Sequence, residues 1–301
     1  MRQSPWYTRS VATRLIVNAD DFGLTSGVNR AIVELHAAGV LTSATLMARA
    51  AATHEAVEIA RQTASLGVGC HVVLVDGEPV LPAQKSIPTI LSATGQRFLP
   101  TLGQFLSHVY AQTAPARVQQ QIEMEARAQI ESLQSRGLRL THIDTHKHTH
   151  MFARVLRPVL RAARGCGIRR VRNPFEPAWS VRATPSAPML RRMEVRLLRM
   201  LETKFRRVVE EEGFVATGGA IGVLATGTLD EQTIASLLRA APDGGVYELV
   251  THPGYNDGDL ARANTRLLKS RETEREALLA LRGAANLELI SFGELGGSGK
   301  S

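Results

Sequence analysis

The sequence predicts an α/β fold, a single (β/α) barrel with about seven parallel strands. Short apolar segments of strand length alternate with longer segments whose apolar residues recur at helical spacing. Strands separated by helices form parallel βαβ units, and about seven units in 301 residues suit a barrel better than two dinucleotide-binding halves. No internal repeat or low-complexity linker divides the chain. We therefore expect one domain over residues 1–292 and a flexible, glycine-rich tail over residues 293–301.

The elements follow one another as alternating strands and helices. The apolar run at 15–17 predicts a first strand that ends at the polar residues 18–21. Thr25 is suited to cap the next helix, and Gly39 ends the apolar pattern of that helix. Further strands are predicted at 42–47, 68–74, 138–144, 168–171, 246–250 and 287–290, and helical spacing marks 28–35, 118–133, 155–163 and 234–241. Residues 84–114 have no clear period, and we expect a long irregular excursion over the barrel mouth there.

The composition narrows the functional class. No apolar run approaches the ~20 residues that a membrane-spanning helix needs. Residues 1–14 lack the apolar stretch of a secretory signal, and Cys70 and Cys166 cannot form a disulfide framework, so we expect a cytoplasmic protein. The formal net charge is +8, but no basic stretch is interleaved with aromatic residues, so we expect no nucleic-acid partner. The oligomeric state stays open, and a homo-oligomer is compatible with the sequence.

The densest group of metal-binding residue types is the stretch THIDTHKHTH at 141–150, which holds four of the nine histidines. Along an extended strand, alternate side chains share a face. If the strand continues through the stretch, one face carries His142, Asp144, His146, His148 and His150. Imidazoles and a carboxylate at the end of a strand suit a divalent-metal site, while a solvated polar edge is the alternative.

Polar residues also follow other predicted strands. Asp20 and Asp21 close the first strand, His71 lies in the third, and His252 closes a late one. In a (β/α) barrel the carboxyl ends of the strands meet at one mouth, so these side chains are expected to lie together. Two adjacent carboxylates repel each other, and one binding a metal while its neighbour acts as a base would relieve this. A helix cap and a solvated turn residue are the ordinary alternative for two aspartates.

Taken together, four motifs resemble the YdjC-like carbohydrate deacetylase family. They are NADDFG at 18–23, GCH at 69–71, DTHKHTHMF at 144–152 and VTHPG at 250–254, in the order and spacing of that family. Each is weak alone, and the set is specific. The run VLVDGEPVLPA at 73–83 further resembles the branch associated with hopanoid lipid biosynthesis.

The resemblance implies a barrel of the glycoside hydrolase/deacetylase type and one divalent metal ion. Carried over residue by residue, its ligands fall on Asp21, His71 and His146. Asp20 takes the position of the catalytic base, and His252 matches a histidine near the site that would act as the acid. Two imidazoles and a carboxylate favour zinc or another transition ion, although the family is also associated with magnesium.

Four further residues are expected beside this centre, as supports of the ligands or as substrate contacts: Asp144, His148, His150 and Arg172. A solvated face is the alternative for the two histidines, and an ordinary surface position is the alternative for Arg172. The sequence departs from the family at Cys70, where relatives carry a larger apolar residue. We expect Cys70 to be a small buried side chain, because it should point away from the side of the strand that carries His71.

The implied reaction is hydrolysis of an acetamide by a metal-activated water. The resemblance to the hopanoid branch implies removal of the acetyl group from an N-acetylglucosaminyl hopanoid, to give the free glucosamine and acetate. One alternative is a deacetylase of soluble chito-oligosaccharides or another N-acetyl amino sugar. A second alternative is a metal-dependent sugar-binding protein without catalysis, which would have no need of a base at Asp20.

The segment 188–209 has the pattern of a basic amphipathic helix. Seven Arg or Lys outnumber two Glu, and apolar residues recur at helical spacing at Met189, Met193, Leu197, Met200, Leu201, Phe205 and Val208. A barrel helix with a basic solvent face is the ordinary interpretation. The alternative is a peripheral contact with the inner face of the membrane, where a lipid-linked sugar would be reached.

Overall fold

A computed structural model of the chain describes residues 13–281 and 288–296. Its centre is one sheet of nine parallel strands: β1 (Arg14–Phe22), β2 (Ser43–Leu46), β3 (Gly67–Val72), β4 (Ile143–Thr145), β5 (Arg170–Val171), β6 (Val215–Ala216), β7 (Ala220–Ile221), β8 (Val246–Thr251) and β9 (Glu288–Leu289). The strand order is β6-β5-β4-β3-β2-β1-β8-β7, and β9 pairs with the start of β1. The predicted barrel of parallel strands is confirmed. Within the described residues no ladder pairs β6 with β7, so the barrel is open there.

Helices cover the sheet because parallel strands are joined by crossovers. They are α1 (Ser26–Ala37), α2 (Thr53–Gln62), α3 (Ala83–Ser86), α4 (Leu102–Ala111), α5 (Pro115–Gln134), α6 (Ala153–Gly165), α7 (Ala178–Ala183), α8 (Met189–Leu198), α9 (Glu202–Glu211), α10 (Glu231–Ala240), α11 (Gly258–Arg262) and α12 (Lys269–Ala280). As predicted, the Thr25 side chain caps α1, and Gly39 follows it with a φ of +76°. None of the helices in the described ranges is both long and apolar enough to cross a membrane.

The segment predicted to be irregular, 84–114, is more ordered than expected. It contains most of α3, a 3-10 turn at Pro88–Ile90 and α4. The preceding loop is held by α5, where Gln129 accepts from the main-chain N–H of Val73 and Glu125 accepts from that of Val80, both at 2.8 Å. The helical elements within 84–114 are short, so their apolar residues form no long periodic pattern that the sequence could reveal.

The boundary of the predicted tail also shifts. Phe292–Glu294 forms a 3-10 turn capped by Ser291, and Leu295 is buried, so packing continues past residue 293. Residues 297–301 of the tail lie outside the described residues. The single domain over 1–292 stays a prediction.

The basic segment 188–209 is not one helix with a basic solvent face. Helices α8 and α9 are joined by a 3-10 turn at Arg199–Leu201. In α9, Phe205 and Val208 are buried as expected. Helix α8 has no buried residue: Met189, Leu190, Met193 and Leu197 are exposed, while Val195 and Leu198 are partly buried against apolar clusters. The ordinary interpretation is therefore wrong for α8, and spacing alone could not show which side of the helix faces the barrel.

Candidate active site

Three potential metal ligands converge at the carboxyl ends of β1, β3 and β4. His71 Nε2 lies 3.5 Å from Asp21 Oδ1 and 3.3 Å from His146 Nδ1, and the third side of the triangle is 3.4 Å. Ligands at ~2.1 Å from one ion, separated by tetrahedral angles, are about 3.4 Å apart. These are the residues for which the sequence predicted a metal site, and the fold brings them together.

The local backbone explains how adjacent residues reach the same place. The register of β1 against β2 shifts between Ala19 and Phe22, and Asp21 has a φ of +62°, so Asp20 and Asp21 escape the usual alternation of side chains. After β4 the chain enters a 3-10 turn at His146–Met151, in which Lys147 and His148 are left-handed. The expected continuation of the strand through residue 150 is therefore wrong: His146 follows the extended Thr145 directly after β4, and the turn begins there.

His71 is oriented by a carboxylate. In the register of β3 and β4 it lies opposite Asp144, and its Nδ1–H donates to Asp144 Oδ1 at 2.7 Å, which leaves Nε2 facing the cluster. Burial lowers the pKa of His71, but Asp144 and the neighbouring aspartates outweigh burial and raise it to about 9. The surroundings therefore favour an additional positive charge. A histidine fixed by a carboxylate is the usual support of a metal ligand.

Arg172 is the centre of a buried ionic network. It is fully buried and contacts Asp20 at 2.6 and 2.8 Å, Asp144 at 2.5 Å and Glu248 at 2.6 Å. The alternative of an ordinary surface arginine is thus excluded. Burial would raise the pKa of Asp20, but Arg172 outweighs it and holds this pKa well below its usual range. Burial raises the pKa of Glu248 to about 7 despite the same arginine.

The charges of the network favour a bound cation. Arg271 on α12 donates to Asp21 Oδ2 at 2.5 Å. The carboxyl groups bound to the two arginines outnumber the guanidinium groups by two: Asp20, Asp21, Asp144 and Glu248 against Arg172 and Arg271. Asp20, His71 and Asp144 form a second candidate group of ligands. Arg172 and His71 already occupy the carboxylate oxygens of Asp20 and Asp144, whereas Arg271 takes only Oδ2 of Asp21 and leaves Oδ1 facing the histidines, so the group around Asp21 is the better centre.

His252 lies on the other side of Asp20. Its Nε2 is 3.7 Å from Asp20 Oδ2, and its main-chain N–H donates to Glu274 Oε2 at 2.6 Å. Its Nδ1 faces the same Glu274 oxygen at 3.9 Å. Glu274 is buried on α12, and burial raises its pKa. Glu274 and Arg271 were not predicted from the sequence. Helix α12 carries many charged residues, and their spacing does not distinguish these two buried residues from the solvent-exposed ones.

The other predicted histidines occupy different surroundings. His148 lines the cleft, and burial together with Arg172 lowers its pKa to about 3, which leaves it neutral at pH 7. His150 is buried; its Nδ1 pairs with the Thr145 hydroxyl at 2.7 Å and its Nε2 lies 3.2 Å from the Arg172 carbonyl oxygen. His142 is buried and stacks on Phe292. The solvated edge is thus excluded for His142 and His150, which support the fold around the ligands.

Cys70 occupies the surroundings expected for it. It is fully buried in the apolar core, belongs to neither group of candidate metal ligands, and burial raises the pKa of its thiol well above the usual range.

The cluster opens into a cleft of about 1150 Å³. Its walls include the apolar side chains of Leu24, Met47, Leu102, Val223 and Leu267, beside several charged groups at the mouth. Asp76 links two loops across this mouth, because it accepts from Lys147 Nζ at 2.8 Å and from Asn264 Nδ2 at 2.5 Å. A cleft of this size accommodates a sugar together with an apolar substituent.

Comparison with known proteins places these features in a family. A sequence model described as YdjC-like protein matches residues 14–287. A carbohydrate deacetylase of Brevibacillus brevis is 32% identical, over 94% of this chain and all of that protein, and a carbohydrate deacetylase of Mus musculus is 30% identical, over 80% and 78%. A crystal structure from Enterococcus faecalis, of a protein described as a candidate for cellobiose-phosphate cleavage, is 25% identical. It covers 93% of this chain and 98% of its own, with a TM-score of 0.72.

Proposed function

The chain belongs to the YdjC-like protein family, and from this membership we propose that it is a carbohydrate deacetylase with a divalent metal at Asp21, His71 and His146. Such a hydrolase cleaves the amide C–N bond of an N-acetylated amino sugar. The observation that carries the proposal is the convergence of three ligands in an open cleft beside an ionised carboxylate and a histidine. The names of the relatives agree with this enzyme class.

The reaction needs a nucleophile, a base and an acid. A bound divalent ion supplies a Lewis acid and lowers the pKa of a coordinated water. Asp20 then accepts a proton from the attacking water while the water oxygen bonds to the acetyl carbon. The C–N bond breaks, the acetyl group leaves as acetic acid, and His252 delivers the proton taken from water to the departing amine nitrogen. Proton transfer of this kind typically contributes ~10²–10⁴-fold to the rate.

The ion pair with Arg172 restricts what Asp20 does. A carboxylate with a strongly lowered pKa stays ionised but is a weak base. Arg172 fixes its orientation, and the proton that it accepts has to be passed on. His252 Nε2, 3.7 Å away, is placed to receive that proton and deliver it to the leaving group. In this proposal Asp20 and His252 act as a relay.

The metal's identity is part of the proposal. Two imidazole nitrogens and one carboxylate oxygen, spaced like the ligands of a tetrahedral site, favour zinc or another transition ion over magnesium, which prefers six oxygen ligands.

The finer proposal for the substrate is an N-acetylglucosaminyl hopanoid. Apolar side chains in the cleft wall support an apolar substituent next to the sugar. The same proposal includes a cytoplasmic enzyme in peripheral contact with the inner face of the membrane through residues 188–209. A soluble chito-oligosaccharide would use the same chemistry without that contact. A sugar-binding protein without catalysis is disfavoured by the placement of His252 beside Asp20.

Metal content and acetate release test the proposal together. We would compare the protein with His146→Ala and with a control, His54→Ala, whose histidine is exposed on α2. Each would be assayed on an N-acetylglucosaminyl lipid and on a soluble chito-oligosaccharide. We expect the metal and the acetate release to be lost together in His146→Ala and retained in the control. Acetate release that survives loss of the metal would overturn the mechanism, and release from the soluble sugar alone would overturn the lipid substrate.

A further inference from the structure

Helix α8 exposes most of its large apolar side chains to solvent. In the described part of the chain the five most exposed large apolar side chains, 58–76% exposed, are Met189, Leu190, Met193, Leu197 and Met200. At 100° per residue these five positions fall within one stripe about 100° wide, so they form a continuous apolar ridge. An exposed ridge of this kind indicates a surface that is covered by something else.

Arginines hold the opposite side of α8 to the protein. Arg191 donates to the carbonyl oxygens of Thr226 at 2.9 Å and Val223 at 3.2 Å. Arg192 donates to the carbonyl oxygens of Val181 at 3.1 Å and Thr184 at 3.3 Å. In an ordinary surface helix the arginines would face water and the methionines would face the core. Here the guanidinium groups satisfy loop carbonyls, and the ridge is left outward.

Helix α8, which carries the ridge, lies at the rim of the cleft. Arg191, Val223 and Thr226 all line the cleft, and the hydrogen bonds of Arg191 fix α8 to that rim. Exposed basic side chains lie nearby in the chain, Arg196 on α8 itself and Lys204 and Arg207 on the following α9. Apolar side chains flanked by cationic ones match the headgroup region of an anionic lipid surface.

We infer that α8 docks the protein on an anionic lipid bilayer, with the five-residue ridge inserted among the lipids and the cleft mouth facing the membrane. The inference rests on the proposed function only for the substrate, an amphiphile whose sugar headgroup reaches from the bilayer into the cleft. A second copy of the chain is a poorer occupant. Two ridges in a symmetric dimer would bring the two copies of Arg196 and Lys204 towards each other. Flexible methionine side chains suit a fluid surface.

Vesicle sedimentation tests this docking. Wild type, the double variant Met193→Glu/Leu197→Glu and the control Met124→Glu would be mixed with phosphatidylglycerol/phosphatidylcholine vesicles and with phosphatidylcholine vesicles alone. Met124 is partly exposed on α5, away from the cleft. We expect wild type and control to sediment with the anionic vesicles, at least tenfold weaker sedimentation with the neutral ones, and at least a tenfold loss for the double variant.

The unfolding temperature of the double variant, expected to be unchanged, shows whether it folds. Wild type that stays in solution, or a double variant that folds and sediments like wild type, would overturn the inference. The inference would also be overturned if wild type were a dimer, the double variant were a monomer, and the two bound vesicles equally. Acetate release from a soluble sugar separates the two proposals: vesicle binding without acetate release from any substrate would keep the docking and overturn the proposed enzyme.

Discussion

The cluster of candidate metal ligands with its buried ionic network and the ridge on α8 depart from ordinary folding in opposite ways. At the cluster, charged side chains are buried: Arg172 is fully enclosed among carboxylates. On α8, large apolar side chains are in the solvent while Arg191 and Arg192 face the protein. Burying charge is costly unless every charge is paired, and exposing apolar area forgoes stabilisation. The cluster is therefore expected to respond strongly to substitution, whereas the ridge should contribute little to stability and much to binding.

The largest effect is expected for Arg172→Met. The change leaves Asp20, Asp144 and Glu248 buried without their common cation. Removing one partner of a buried ion pair costs about 3–5 kcal/mol, so the free energy of unfolding in urea should fall by that amount. Arg207→Met, at a side chain 79% exposed, is the control and should change it by less than about 0.5 kcal/mol. If both substitutions lowered the free energy of unfolding equally, the expected contrast between the buried network and the exposed surface would be contradicted.

A smaller effect is expected for Glu274→Gln, which keeps the shape of the residue but removes the charge facing His252. Groups that orient a catalytic side chain typically contribute ~10–100-fold, so kcat for acetate release should fall by that factor. KM should be unchanged, because Glu274 does not line the cleft. Glu276→Gln, two residues further along α12 and 67% exposed, should match wild type. A rise in KM at constant kcat would assign Glu274 to substrate binding instead.

Glu248 gives the cluster a characteristic dependence on pH. Its pKa is raised to about 7 in the folded protein, so the folded state favours the protonated carboxyl. Its contribution to stability is fully present below about pH 4.5, the ordinary value, and is lost as the pH rises through 7. Relative to wild type, Glu248→Gln should therefore gain about 2–3 kcal/mol in free energy of unfolding between pH 5 and pH 8. A difference that stays constant, or shrinks, over this range would contradict the raised pKa.

The smallest effect is expected on the ridge. Leu197→Gln should change the free energy of unfolding by no more than about 0.5 kcal/mol, because the side chain is already in water. Phe205→Ala in the neighbouring α9 removes a buried ring and should cost about 3–5 kcal/mol. Thermal or urea unfolding of the two variants measures the contrast. A cost of 2 kcal/mol or more for Leu197→Gln would mean that the ridge is packed against the protein.

The same physical reason lets the sequence predict both the fold and the grouping of the candidate metal ligands. Parallel strands have a local apolar signature, and their carboxyl ends meet at one mouth whatever lies between them. Asp21, His71 and His146 can therefore be grouped from the sequence, although they are far apart in the chain.

The other residues around the site, and the orientation of α8, depend on tertiary packing, which a local sequence pattern does not reveal. Glu248 is the exception, because a lone carboxylate in an otherwise apolar stretch, VYELV, is a local signal that could have identified it. Arg271 and Glu274 are buried only because of the way α12 packs, and neighbouring charged residues on α12 are exposed. Helix α8 shows the limit most clearly. The spacing puts Met193 and Leu197 in one stripe with Phe205 and Val208, but the first two are exposed and the last two are buried. Carbonyl groups at 181–185 and 223–226, which accept from Arg191 and Arg192, decide which face of α8 meets the protein.

The central claim is that Asp20 and Asp21, adjacent in the chain, have different roles: Asp21 holds the metal and Asp20 handles the proton. Metal stoichiometry and acetate release, measured on one preparation of Asp20→Asn, test this most directly. Asn keeps the size of the side chain but cannot accept the proton. The expected result is one bound ion per chain, as in wild type, with acetate release at least ~10²-fold slower. Acetate release within a few-fold of wild type, or loss of the metal from this variant, would contradict the division of roles.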